Sequence, residues 1–378
     1  MLQRNQPSTP TEETVNTPVV EQNTVAEQSA VVEQKSLADS VKVLSPAKLV
    51  ARRFFRSKLS MVGLIMLAVL FVFIFIGPLF TPWGESEIDY TKVTTYDYRE
   101  ITVTDADGNE YTVYEITTFV YSVNKSAKPF TRSHSRLTED EPYKDELHIL
   151  GTDENGRDVF TRLMYGGQKS ISLSFFTVLL YTTLGIILGS IAGYVGKWAD
   201  QIIMRIVDII NCIPTLPIML ILSVVLESMD VAPGARIYYL LGILTLLDWT
   251  GIARLVRGQI LFLREQEYMV AADALGLSAP RKIFKHLVPN IIPQLIVVMT
   301  LGLGSMILYE ATLGYLGLGF PLEVASWGRM VNSATNKDVL NYYPYIWVPA
   351  GICIVLAVLG FNFLGDGLRD ALDPKMKR

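Results

Sequence analysis

The chain contains 378 residues, of which 50% are hydrophobic and only 19% are charged, and its formal net charge is −4. This balance excludes the strong basic field by which many proteins bind nucleic acid, so we expect no nucleic-acid partner. The apolar residues gather in long uncharged runs, whereas residues 1–58 and 83–169 are polar, a pattern typical of a protein that crosses a membrane several times.

The first residues are polar and acidic and contain a loose six-residue repeat around Val19, Val25 and Val31. They carry too little apolar surface to offset the entropy lost on ordering, so residues 1–45 are predicted to form a disordered cytosolic tail, either a tether or a solvated segment. The pattern is not that of a signal peptide. Residues 46–58 are predicted to form a cytosolic amphipathic segment.

A helix needs about 20 apolar residues to cross a bilayer, and six apolar segments of the chain are close to that length. Four of them carry no charge, and they cover residues 59–83, 170–195, 288–309 and 342–364. Two are weaker. Residues 213–226 contain two prolines and need residues 206–212 to reach span length, and residues 237–253 are interrupted by Asp248. Membrane helices tolerate prolines, so six transmembrane helices are predicted.

Basic residues are concentrated before the first segment, between the second and third, between the fourth and fifth, and after the sixth. The opposite short loops contain only Arg236, Arg329 and Lys337. Because basic loops stay on the cytoplasmic side, both termini are predicted to be cytosolic, the last one over residues 367–378. The protein is expected to be a multi-pass protein of the cell (cytoplasmic) membrane, in contact with its lipid.

The loop between the first two segments, residues 84–169, is predicted to be an extracytoplasmic insert with an interfacial segment. Apolar and polar side chains alternate on both sides of residues 105–109, which predicts a β-hairpin. Asp105 and Asp107 invite comparison with a calcium-binding loop, but Glu110 and Ile116 stand where that loop requires glycine and a bidentate glutamate. The sequence therefore predicts a turn in a small β-rich insert of an otherwise all-α protein.

No enzyme motif is present in the sequence. Residues 151–158 resemble a phosphate-binding loop but lack the lysine and the Ser/Thr that contact phosphates and magnesium. The cysteines and histidines have no metal-ligand spacing, so we expect no catalytic residue, no metal and no cofactor. Asp248 and Glu310 are the main charges within predicted spans, and a transport role and a structural pairing are both open for them. The energy source is therefore expected on another chain.

The loop between the fourth and fifth segments, residues 254–287, has the pattern of a helix–turn–helix. Helix formers fill residues 265–275, and Gly276 is suited to end that helix in the left-handed conformation. Ser278 can cap the next helix, with Pro280 in its first turn. A shared anchoring face is predicted for Ile283, Phe284 and Leu287, with Arg281, Lys282 and Lys285 outside it. Docking of a partner protein and adsorption on the lipid surface are equally open on this evidence.

This loop resembles the permease signature of ABC importers, in which Glu-Ala-Ala is followed at fixed spacing by glycine and by Ile-x-Leu-Pro. The residues that match are Ala271, Ala272, Gly276 and Pro289, and the departures are Val270, His286 and Val288. Other stretches resemble the C-type permease of the peptide and nickel branch, namely residues 148–159, 192–194, 204–208, 213–214, 313–319, 326–328 and 362–374. The likeness covers residues 46–378 apart from most of 84–146.

The resemblance implies a type I ABC importer permease fold, with a permease core over residues 170–366. It also implies a second homologous permease subunit, two ABC ATPase subunits, an extracytoplasmic substrate-binding protein and transport of peptides by alternating access. Contact with an ATPase is then expected at Ala271, Ala272, Asp273, Gly276, Arg281, Lys282, Phe284 and Pro289. The resemblance does not identify the residues that line the substrate path.

Other functions fit part of the same pattern. Importers of nickel or of oligosaccharides belong to the same branch, although the lack of a metal-ligand cluster favours peptides. In a different class, an ion-coupled secondary carrier would move its solute without ATPases. A membrane receptor would bind its ligand through residues 84–146. Co-purification of ATPases with the chain would separate the importer from these last two classes.

Overall fold

The computed structural model describes residues 46–93, 97–117, 120–133 and 146–372. The predicted tail over residues 1–45 lies outside the described residues, and so does the end of the chain after Leu372. The chain divides into two compact units, Met1–Arg52 and Arg53–Arg378. The described part of the first unit is the beginning of helix α1.

Helices make up most of the described chain. Their bounds are α1 Pro46–Arg56, α2 Lys58–Phe71, α3 Val159–Val195, α4 Lys197–Asn211, α5 Thr215–Ser228, α6 Pro233–Arg264, α7 Glu267–Ala274, α8 Ala279–Lys282, α9 Val288–Tyr315, α10 Trp327–Asn332, α11 Lys337–Tyr342 and α12 Pro344–Leu372. Short π- or 3₁₀-helical turns follow three of them, at Val72–Ile76 and Gly77–Phe80 after α2, at Ile283–Leu287 after α8, and at Ser333–Thr335 after α10.

Five segments of the described chain are long and apolar enough to cross a membrane, namely Lys58–Phe80, Val159–Val195, Pro233–Arg264, Ala279–Tyr315 and Pro344–Leu372. The third predicted span, over residues 206–226, corresponds to a pair of helices, α4 and α5, that meet at an angle of 78°. Pro214 accounts for the break, because proline lacks an N–H and keeps the preceding residue out of the helical conformation. The predicted all-α membrane fold is thus confirmed, with five helices and one bent pair.

Two predicted segments are parts of much longer helices. Helix α3 begins at Val159 rather than at residue 170, and α6 continues past residue 253 to Arg264. These extensions contain polar side chains, so a hydropathy criterion misses them. The charges are compensated within the protein, since Arg162 of α3 and Arg257 of α6 both bind oxygen atoms of other segments.

Helices α3 and α6 pack closely through a row of glycines. Gly185, Gly189 and Gly193 recur every four residues, which places them on one face of α3. A side-chain carbon added at Gly189 would lie 2.6 Å from the carbonyl oxygen of Ala253 and 2.9 Å from Val256 Cβ. Such spaced small residues let membrane helices approach through their backbones, and here they hold α3 against α6.

A hydrophobic core forms where α2, α9, α10 and α12 meet α3. At its centre lies Trp327, fully buried, whose indole N–H donates to the carbonyl oxygen of Leu163 at 2.9 Å. The backbone N–H of Trp327 donates to Ser170 Oγ at 3.2 Å. These contacts fix the beginning of α10 against the first turns of α3.

Among the described residues between α2 and α3 there are three two-stranded antiparallel sheets. The strands are β1 Tyr90–Val93, β2 Asp97–Thr104, β3 Glu110–Thr117, β4 Val120–Val123, β5 Thr131–Arg132 and β6 Leu147–His148, paired as β1–β4, β2–β3 and β5–β6. The predicted β-hairpin is present as β2–β3. In its turn, Asp105 Oδ1 accepts the backbone N–H groups of Asp107 and Asn109, and Gly108 has a φ of 87°. The aspartate therefore builds the turn, as predicted.

Candidate functional site

The membrane-spanning helices have two ends of different chemistry. At the insert end, which carries the strands, the first turns of α3 meet the segment between α9 and α10. At the loop end, α3 and α6 finish beside a helical hairpin, residues 267–287, formed by α7, α8 and the π-helical turn. Arg264 at the end of α6 donates to the carbonyl oxygen of Tyr194 at 3.1 Å, which ties these two helices together. The predicted coupling residues lie on this hairpin and at the beginning of α9.

Gly276 joins the two arms of the helical hairpin and has the predicted left-handed conformation, with a φ of 69°. Its N–H donates to the carbonyl oxygen of Asp273, and the N–H of Leu277 donates to that of Ala272. These two bonds form a Schellman motif, which closes a helix through its backbone. Ser278 precedes α8 as predicted, although its side chain makes no capping hydrogen bond.

An ion pair connects the two arms of the helical hairpin. The Asp273 carboxylate in α7 contacts the Lys282 ammonium in α8, which also lies 5.8 Å from the centre of the Tyr194 ring. The prediction that Lys282 lies outside the packed face is wrong, because the residue is buried. The carboxylate and the aromatic ring compensate its charge, so its aliphatic stem can pack inside.

Large apolar side chains on the helical hairpin remain uncovered by the residues that the structure describes. The exposed fractions are 62% for Val270, 80% for Leu275 and 59% for Phe284. The sequence predicts Phe284 on the anchoring face, and this is wrong. Ile283 and Leu287 are buried as predicted, but the wide π-helical turn that they belong to rotates Phe284 outward. The hairpin is thus anchored by two residues and presents an apolar surface on its other side.

Most of the predicted coupling residues lie on the surface of the described chain. The exposed ones are Ala271, Asp273, Gly276, Arg281, Phe284 and Pro289. The buried ones are Ala272 and Lys282. The structure therefore brings six of the eight residues to a surface that another protein could contact.

Arginines of α6 bind aspartates of α4 at the loop end. Arg254 Nη2 lies 2.6 Å from Asp208 Oδ1, and Arg257 binds Asp200 through two nitrogen atoms, with Nη2 at 2.6 Å from Oδ2. Sequence analysis missed both pairs because the partners are far apart in the chain. A signal was present, since the arginines are three residues apart and the aspartates eight, spacings that place each set on one helix face.

A buried polar cluster at the insert end uses the motif of residues 148–159. The His148 imidazole lies 2.8 Å from an Asp158 carboxylate oxygen and 3.1 Å from one of Asp89, and the Trp83 ring stacks on it at 4.2 Å. Burial alone would lower the pKa of His148, but the hydrogen bonds and charges of Asp158 and Asp89 raise it to about 9. A protonated histidine between two carboxylates therefore joins the insert to the start of α3.

Two arginines of the same motif region converge on one backbone oxygen. Arg157 and Arg162 donate to the carbonyl oxygen of Leu322 at 2.6 and 3.1 Å. A cavity of about 100 Å³ lies beside them and is lined in part by Glu154 and Arg329. These contacts hold the segment between α9 and α10 in place, so the motif stabilises the insert end.

Asp248 and Glu310, predicted to be the main charges within the spans, differ in burial. Glu310 of α9 is buried beside the hydroxyl groups of Ser170 and Ser326, whereas Asp248 of α6 is exposed on this chain. The residues that the structure describes contain no group of three or more His, Cys, Asp or Glu side chains that could hold a metal ion.

Two regions of the chain match families of known proteins. Residues 185–378, which include the helical hairpin, match the family described as binding-protein-dependent transport system inner membrane component. Residues 45–97 match the N-terminal transmembrane domain of oligopeptide transport permease C.

Individual relatives cover nearly the whole chain. It is 37% identical over 341 residues to the oligopeptide transport system permease protein OppC of Bacillus subtilis (strain 168), which is 90% of this chain and 93% of that protein. It is 34% identical to the dipeptide transport system permease protein DppC of the same organism over 90% of each chain. Among solved structures it is similar to an inward-facing MetNI methionine ABC transporter, with 19% identity, a TM-score of 0.41, and coverage of 56% of this chain and 96% of that one. The chain therefore belongs to the family of binding-protein-dependent inner membrane permeases, as a member of the oligopeptide permease C type.

Proposed function

We propose that this chain is one of two permease subunits of an ABC importer, and that the importer moves peptides across the membrane by alternating access. The observation that carries the proposal is the apolar surface of Val270, Leu275 and Phe284 on the helical hairpin, which the described part of the chain leaves uncovered. An exposed apolar patch of this kind is typical of a protein interface. The relatives named above are oligopeptide and dipeptide permeases, which supports peptides as the substrate class.

The partner at this surface is an ABC ATPase in our proposal. The helical hairpin follows α6 directly, and its π-helical turn runs into α9, so a force on the hairpin acts on both spans. Arg254 and Arg257 transmit the movement of α6 to α4. Such coupling requires that the ATPase contact the two states of the permease differently, because equal contact would shift no equilibrium.

This proposal places the loop end in the cytosol, where ATP is available. Basic residues are abundant there, including Arg254, Arg264, Arg281 and Lys285, and basic loops favour the cytoplasmic side. Both termini then face the cytosol as well, since six crossings return the chain to the side where it starts. The insert end, with its strands, faces outward and receives substrate from a binding protein.

A second permease completes the translocation path in our proposal. Helix α5 supports it, because Met219 is its one buried residue in the described chain. Leu220, Ile221 and Val224 are exposed by 44, 62 and 65%. One face of α5 can therefore pack on a second subunit, while lipid covers the rest.

Reconstitution tests the proposed function directly. We expect the chain to co-purify with a second permease and two ATPases, and proteoliposomes of this complex to take up peptide only with ATP and the binding protein. Leu275→Asp and Phe284→Asp should each abolish uptake and release the ATPases. Tyr342→Asp is the matched control, since Tyr342 is 73% exposed on α11 and lies away from the helical hairpin. Uptake by this chain alone, driven by an ion gradient, would contradict the proposal.

A further inference from the structure

Asp248 places a carboxylate on a part of α6 that the described chain leaves open. It lies near the middle of Pro233–Arg264, is exposed, and forms no hydrogen bond or ion pair with the described residues. The arginines that follow it on α6, Arg254 and Arg257, are by contrast paired. A carboxylate within a membrane span is costly against lipid, so it faces a water-filled path or another protein.

An unpartnered hydroxyl group lies one turn away from Asp248. Thr245 is buried, and its Oγ1 has no hydrogen-bond partner among the described residues. Threonines in membrane helices commonly donate to the carbonyl oxygen four residues earlier, as Thr177, Thr300 and Thr312 do in this protein. The hydroxyl of Thr245 departs from that pattern, so its hydrogen-bonding capacity is unused among the described residues.

Two tyrosines of neighbouring helices lie within electrostatic range of the same carboxylate. The Asp248 charge acts on the phenol groups of both Tyr181 in α3 and Tyr309 in α9. Tyr181 is 8% exposed and its hydroxyl packs on Gly302, where an added side-chain carbon would lie 2.5 Å away. The hydroxyl of Tyr309 is buried and has no hydrogen-bond partner in the described chain. Buried hydroxyls normally have partners, so this cluster of three helices lacks one.

The face of α6 next to Asp248 has room for such a partner. Gly251 lies one turn further along the helix, and a side-chain carbon added there would meet nothing within 4 Å. The side of α6 at Gly251 is therefore open beside the carboxylate.

We propose that Asp248, with the hydroxyls of Thr245, Tyr181 and Tyr309, binds the protonated amino terminus of a peptide in the translocation path. The inference rests on the proposed function. An ammonium group donates three hydrogen bonds and carries a positive charge, and one carboxylate with nearby hydroxyl acceptors complements it. Every unmodified peptide carries this group, so the site recognises the substrate class rather than one sequence. A few such contacts hold a substrate weakly enough to let it leave, as transport requires.

The test compares wild type with Asp248→Asn in proteoliposomes that contain both permeases, the ATPases and the binding protein. Uptake is measured below saturation for trialanine and for its des-amino analogue, which lacks the terminal amine. We expect Asp248→Asn to lower trialanine uptake about tenfold, the loss of one charge-assisted hydrogen bond, and to leave uptake of the analogue within about twofold. The preference of the binding protein cancels, since each substrate is compared between variants.

Three further variants keep the test independent of how well the analogue is delivered. Asp248→Glu retains the charge and should keep trialanine uptake within about threefold of wild type. Asp370→Asn removes a carboxylate from the exposed surface at the end of α12 and should change nothing. Tyr309→Phe, which removes only the hydroxyl, should lower trialanine uptake about threefold.

Several outcomes would contradict the proposed binding site. An equal loss for both substrates would make Asp248 a structural residue, and unchanged uptake of trialanine would remove it from the path. Loss of the second permease from the purified Asp248→Asn complex would show that a basic residue of that subunit is its partner. Wild-type vesicles that take up no peptide with ATP would instead refute the proposed function itself, so the two failures are distinguishable.

Discussion

The Asp273 carboxylate and the Lys282 ammonium connect the two arms of the helical hairpin, and Gly276 lies between them in the chain. The side chain of Lys282 is 10% exposed, whereas that of Asp273 is 60% exposed. An ion pair so open to solvent contributes little to overall stability. Its position indicates another role, which is to hold the angle between α7 and α8 and thus the surface that carries Leu275 and Phe284.

We expect Asp273→Asn to reduce peptide uptake about fivefold at unchanged ATP hydrolysis, because a loosened hairpin transmits less of the ATPase movement. The charge-swapped variant Asp273→Lys with Lys282→Asp should recover part of that loss. Uptake and ATP hydrolysis measured in the same proteoliposomes give the ratio of the two rates. Equal uptake in wild type and Asp273→Asn would show that the pair does not take part in coupling.

Gly276→Pro should uncouple ATP hydrolysis from transport while the spans remain inserted. Proline fixes φ near −65°, whereas Gly276 has a φ of 69°, so the turn between α7 and α8 cannot form. Gly276→Ala should have a milder effect, at a local cost of about 1–2 kcal/mol for the left-handed conformation. Gly234→Ala is the control, since that glycine is helical and faces open space. Normal uptake by the proline variant would contradict this role of the turn.

Gly189→Val should weaken the contact between α3 and α6. The new side chain would meet the carbonyl oxygen and Cα of Ala253 at 2.6 and 3.0 Å, and backbone atoms cannot turn aside as a flexible side chain does. Overpacking of this kind costs about 1–3 kcal/mol. The expected result is a lower midpoint of thermal unfolding in detergent. Fluorescence-detected gel filtration of heated samples measures this midpoint.

The matched control for the α3–α6 contact is Gly351→Val. Gly351 is also within a membrane span, in α12, but a side-chain carbon added there would meet nothing within 4 Å. The two variants thus add the same atoms to helices of similar hydropathy. An equal fall in the unfolding midpoint for both would mean that valine, rather than the close approach of α3 to α6, causes the effect.

The insert end should lose stability at alkaline pH. Burial would lower the pKa of His148, but Asp158 and Asp89 raise it from 6.5 to about 9. A folded-state pKa above the unfolded value means that the stabilisation is complete below pH 6.5 and is lost as the pH rises through about 9. The contribution is at most about 3 kcal/mol.

Thermal unfolding between pH 6 and pH 10 measures this loss. His148→Gln should be less stable than wild type at pH 6 and should lack the decline between pH 7 and pH 10. His286→Gln, at the other end of the spans, is the control and should follow wild type. A wild-type unfolding midpoint that does not fall across this range would refute the protonated state of His148.

Local features of the chain could be predicted from sequence, and the reason is physical. The left-handed Gly276 and the turn at Asp105 depend on a few neighbouring residues, so their patterns are sufficient. The apolar spans follow from composition in the same way. The helix extensions, such as the part of α3 that contains Arg162, were hidden because their polar groups are compensated by segments distant in sequence.

Contacts between distant segments account for the rest. Lys282 is buried because Tyr194, in another helix, covers its charge. His148 meets Asp89 and Asp158 only after the insert has folded, and neither pairing follows from spacing. The outward rotation of Phe284 depends on a π-helical turn, which an ordinary helical period does not predict. The departures therefore occur where tertiary structure determines the side chain's position.

The β2–β3 hairpin offers a practical advantage. Its strands pair with each other and with no other described strand, and its turn is made by Asp105, Gly108 and Asn109 at the surface. A short epitope inserted after Gly108 would lengthen a loop tip, where added residues are best tolerated. Antibody added to intact cells would then bind the epitope only if this tip faces outward. That single label would therefore give the orientation of the whole protein in the membrane.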